Sequence, residues 1–84
     1  MNTDIDRSYL KKFAFVNEGG AFDIEEDDEA AWAQLRESLT QNVKNDYDAY
    51  AVAQFFYHVH EIPYGAAIDF MVGETVVFKC TRVR

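Results

Sequence analysis

With 84 residues the chain has room for one domain and not for two, and 49 % apolar and 15 % aromatic residues supply enough material for a core. Four Gly, one Pro and 27 % charged residues exclude a low-complexity or disordered chain, and a formal charge of −7 excludes the basic footprint needed to bind nucleic acid or an anionic membrane directly. A single cysteine, no apolar run of the roughly 18 residues that span a bilayer, and an N-terminus without signal-peptide features point to a cytoplasmic protein with one domain over 1–84.

Thr3 followed by Asp6 resembles a capping box, and Ile5, Tyr9, Leu10 and Phe13 follow at helical spacing. Phe13 and Phe15 alternate as in a strand, so residues 4–13 admit both readings. Phe22 and Ile24 alternate again beyond Asn17-Glu18-Gly19-Gly20, a turn by composition, which predicts a hairpin over about 11–24. From Glu26 the period changes. Trp32, Leu35, Leu39 and Val43 fall at i, i+3, i+7 and i+11, one apolar stripe of a helix.

Asn45 or Asp46 is placed to cap a second helix running to about Glu61, where Pro63 and Gly65 end it. The short connection makes the two helices an antiparallel pair. On that second helix Ala51, Val52, Phe55, Phe56 and Val59 share one face, and Tyr50, Gln54, Tyr57 and Glu61 lie opposite. The tyrosine stripe has two readings, an interface or packing inside a layered core. Ile68, Phe70 and Val72 then alternate, Gly73-Glu74 makes a turn, and Val76, Phe78 and Cys80 alternate against Val77, Lys79, Thr81 and Val83. The class is α+β: an antiparallel sheet of two hairpins with an antiparallel helix pair on one face, in the order ββααββ.

Charge is uneven along the chain. Residues 17–50 carry ten acids against Arg36 and Lys44, while the segment from Phe70 is mildly basic. The run Glu25-Glu26-Asp27-Asp28-Glu29 stands out. Acids at a helix start interact favourably with the macrodipole, at about 0.3–1 kcal/mol each, but that gain saturates after the first turn while five adjacent carboxylates repel one another. The surplus suits a surface that attracts a basic partner.

No catalytic, metal or cofactor constellation emerges. An EF-hand loop starting at Asp23 would put Asp28 where Gly is required and Gln34 where the bidentate Glu belongs. His58 and His60 diverge on a helix, the lone Cys80 sits in a core-like strand, and Gly19-Gly20 lacks the spacing of a phosphate loop.

Small acidic single-domain proteins of this kind resemble the inhibitors that mobile elements direct against nucleic-acid-handling proteins, such as anti-CRISPR and anti-restriction proteins. That resemblance in kind implies a non-enzymatic nucleic-acid mimic that binds and inhibits a basic, nucleic-acid-binding protein. Its footprint would be Glu25, Glu26, Asp27, Asp28 and Glu29, extended by Glu37, Asp46 and Asp48. The alternative is an interaction or assembly module, a homodimer or subunit, that uses Tyr50 and Tyr57 on the second helix or the strand edge of the C-terminal hairpin.

Overall fold

A computed structural model describes residues 9–72 and 75–84. The proposed capping box at Thr3 and Asp6 and the Gly73-Glu74 turn lie outside the described residues. Leu10 is buried at the entrance to β1 (Lys12–Asn17), which pairs with β2 (Gly20–Glu25). The helices follow as α1 (Glu29–Thr40) and α2 (Asp46–His58), the latter continued by a 3-10 turn over Val59–Glu61. Strands β3 (Ala67–Val72) and β4 (Thr75–Arg82) complete the order ββααββ.

All pairings are antiparallel, and the strand order β2-β1-β4-β3 places the first and last strands together in the middle. The hairpins therefore join through β1 and β4, and the helices cover the face bearing Phe13, Phe15, Ile24, Phe70, Phe78 and Cys80. Val52, Phe55, Val59, Ile62 and Leu39 close this core from the other side. Phe15, fully buried, stacks on Phe22 at 5.0 Å and meets Phe78 at 5.2 Å and Trp32 at 5.9 Å edge-on. Edge-to-face rings at these separations add roughly 0.5–1.5 kcal/mol per pair beyond burial.

The elements end where local chemistry dictates. Asp28 caps α1 by accepting the Ala31 N–H, and Asn45, not Asp46, caps α2 by accepting the Asp48 N–H. The helical coil tightens after His58, so the expected helix to Glu61 ends in a 3-10 turn. Pro63 to Ala66 then forms a turn closed by Ala66 N–H to Pro63 C=O, with Gly65 in its third position at φ +82°, which only glycine adopts without strain.

Alternation along β4 fails at one place. Phe70 faces Phe78 but Met71 faces Val76, so Val77 is the extra residue of a bulge. Val77 therefore packs, half-buried, against the core beside Phe78, not on the opposite face where strict alternation puts it.

Candidate partner-binding surface

The acidic run turns the corner from strand to helix, and its members separate. Glu25 ends β2 and pairs with Arg84 at 2.5 Å, and that guanidinium also donates to the Leu10 C=O. Glu26 accepts the Lys11 N–H through its carboxylate at 2.8 Å, while its own N–H donates to the Lys11 C=O. Asp27 is exposed in the turn, Asp28 is the helix cap, and Glu29 is exposed in the first turn of α1. Glu37 is exposed on α1 and Asp46 at the start of α2, whereas Asp48 is half-buried and accepts the Lys44 N–H at 3.2 Å. The run thus ties Lys11 and Arg84 to the start of the first helix and does not form one row of carboxylates.

The tyrosines behave differently. All five in the sequence are exposed, while Phe13, Phe15, Phe55, Phe70 and Phe78 fill the core. Three follow one another on α2: Tyr47 is 87 % exposed, Tyr50 66 % and Tyr57 73 %. Their spacing, i, i+3 and i+10, sets them on the side opposite Val52, Phe55 and Val59, along about 15 Å of helix. The stripe is therefore an outer surface and not the inside of a layered core. Beside it the His58 ring contacts Tyr57 at 4.9 Å and shares a hydrogen bond with Gln54 at 3.1 Å.

Helix α1 packs beside α2 at Phe56. Trp32 meets Phe56 at 6.4 Å and the Arg36 guanidinium lies 4.5 Å over the Phe56 ring, so the middle of α1 lies beside the C-terminal half of α2. Glu29 and Glu37 are exposed on α1, the helix that packs against α2 at Phe56. Asp46 marks the stripe's other end. Aromatic faces flanked by carboxylates suit guanidinium groups, which stack on the one and pair with the other.

His60 is half-buried against Phe13 and Trp32, and its pKa is lowered by burial first and by the nearby Lys11 ammonium second, with Glu26 opposing. His58 is exposed on α2 and Cys80 is buried in the sheet; among the described residues no three His, Cys, Asp or Glu side chains cluster as metal ligands do. No described helix is long and apolar enough to cross a membrane.

Burial pushes the Cys80 thiol up to about 12. The thiolate, the reactive form, is therefore scarce at pH 8. A colorimetric disulfide reagent is expected to leave Cys80 unmodified in the native protein at that pH and to titrate one thiol per chain in denaturant. Rapid labelling of the native protein would contradict the packing of β4.

No protein-family model, curated protein or solved structure matches the chain.

Proposed function

We propose that this domain is a non-enzymatic, cytoplasmic binding module that engages a basic, nucleic-acid-handling protein through the outer face of α2. The observation that carries the reading is the exposure of Tyr47, Tyr50 and Tyr57 as one stripe. Tyrosine brings large contact area at low entropy cost and is enriched where proteins bind each other, and three such rings exposed together serve no packing need of the monomer. The net charge of −7 selects the partner's sign and speeds encounter. Seated in a groove lined by Arg and Lys, such a surface would displace DNA or RNA, which makes the module an inhibitor of the nucleic-acid-mimic type. Asp46 next to Tyr47, and Glu29 and Glu37 on α1, supply the exposed carboxylates of the binding surface. Glu25, Glu26 and Asp28 contribute to the field while holding the fold.

The test is capture from the native host's lysate at low and moderate salt, repeated with Tyr50→Ser/Tyr57→Ser and with Glu29→Gln/Glu37→Gln/Asp46→Asn. A basic partner that elutes with salt, is displaced by added DNA or RNA and is lost with the tyrosine variant supports the proposal. Central tyrosines at interfaces contribute about 2 kcal/mol each, so the double variant is expected to weaken binding by between roughly 30-fold, the loss of one, and roughly 1000-fold, the additive loss of both. A partner indifferent to salt and nucleic acid would remove the inhibitor reading, and a partner retained by the tyrosine variant would remove the α2 surface.

A further inference from the structure

We propose that two copies of this chain pair antiparallel through their β2 edges about a two-fold axis at Phe22, forming one continuous eight-stranded sheet.

The backbone phase of β2 follows from its neighbour. Lys11 C=O accepts the Glu26 N–H on the β2 side, whereas the N–H and C=O of Lys12 bond Arg84 and Val83 on the β4 side. Odd residues of β1 therefore face β2. With Phe13 opposite Ile24 and Phe15 opposite Phe22, the even residues of β2 point inward and Ala21, Asp23 and Glu25 point outward. The Glu25 C=O accepts the Trp32 indole N–H at 3.0 Å, so that end is occupied. No hydrogen bond from a described residue reaches the outward groups of Ala21 and Asp23.

An open edge is ordinarily protected by a bulge, a proline or an unmatched charge. The opposite edge, β3, carries the register shift at Phe70 and Met71. Strand β2 has neither proline nor bulge, and its two charges are matched, Asp23 by Lys12 at 3.6 Å and Glu25 by Arg84 at 2.5 Å. Phe22 is 43 % exposed on the helix side. It lines a groove of about 360 Å³ between β2 and the α1 flank bearing Ala31, Leu35 and Ser38.

Self-complementarity names the occupant. Pairing centred on Phe22 sets Ala21 against the second copy's Asp23, with two reciprocal hydrogen-bonded pairs, and brings the two Phe22 rings face to face in the close, non-hydrogen-bonded position. Each ring then covers the mouth of the other's groove, and Asp23 meets a small side chain. Centring on Asp23 would oppose the two carboxylates and run into the Trp32 contact, and centring on Ala21 would waste Phe22 against Gly20. An isologous interface requires this kind of palindrome. Because α2 packs on β3, at the far side of the sheet, both tyrosine stripes stay exposed in the dimer. A bivalent partner would then gain avidity.

Five paired residues a side make a small interface, so the dimer is weak and concentration-dependent. Sedimentation equilibrium from roughly 5 µM to 1 mM covers the affinities of such interfaces. The apparent mass should rise from 9.7 kDa towards twice that value. Ala21→Pro removes one outward N–H without touching the β1 pairing, and Phe22→Lys removes the ring and adds repulsion. Both should be monomeric across the range with an unchanged circular dichroism spectrum, while Tyr50→Ser/Tyr57→Ser should still dimerise. In the parent, the Ala21 and Asp23 amides should gain protection from hydrogen exchange as concentration rises. A parent monomeric at 1 mM, or a dimer that persists in folded Ala21→Pro, overturns the proposal.

Discussion

Phe15→Ala is expected to remove most of the stability of this domain. Phe15 is fully buried in β1, a central strand, and its ring meets Phe22, Trp32, Phe55 and Phe78, so it touches both hairpins and both helices. Truncating a buried Phe costs about 3–5 kcal/mol, from lost transfer energy and from the cavity left behind. A domain of this size has about 4–13 kcal/mol in all. The midpoint in urea should fall accordingly, and the less stable end of that range leaves the variant largely unfolded without denaturant. Phe22→Ala is the control: it stacks on Phe15 but is partly exposed, so it should cost well under half as much. Equal losses for the two variants would mean that Phe15 is not the centre of the core.

The difference between those two phenylalanines also marks where the sequence stops being informative. Strict alternation places Phe22 and Ile24 alike on the core face, and both are there. Only the strand order, with β2 at an edge, leaves Phe22 partly uncovered. The fold class was legible because its signals are local: alternating Phe13 and Phe15, the Trp32-Leu35-Leu39-Val43 stripe, and Phe and Tyr divided between opposite faces of α2. The bulge at Val77 was not, since Val76 to Cys80 reads as unbroken alternation until β3 is laid beside it.

The acidic run shows the same limit at the candidate site. Five consecutive carboxylates look equivalent in sequence, yet one pairs with Arg84, 59 residues away, another binds the backbone of Lys11, and a third caps a helix. Composition reveals the excess of charge but not the partners that draw on it. The tyrosines were legible by spacing and undecided by environment. Exposure requires knowing that α2 has the sheet on one side and solvent on the other, a property of the layers and not of the helix.

Trp32→Ala is expected to detach α1 before the rest of the domain unfolds. Helix α1 has one buried residue, Leu39, near its C-terminus, and a groove separates part of its length from β2 and β4. Its N-terminal half is fixed chiefly by Trp32, whose ring contacts Phe13, Phe15, Phe56 and His60 and whose N–H holds the Glu25 C=O. Loss of a large packed aromatic costs roughly 3–5 kcal/mol. Because few other contacts hold α1, that loss should appear first as local opening. Hydrogen exchange should quicken across Glu29–Thr40 far more than across β1 or the Val52–Phe55 segment of α2. Trp32→Phe keeps a ring and loses the N–H, so its cost should be nearer the roughly 1 kcal/mol of a single hydrogen bond plus some packing. If exchange instead quickens equally in α1, α2 and the sheet, the helices are one cooperative unit. The groove beside β2 would then be rigid, and the edge that pairs two copies would be held by the whole core and not by Trp32.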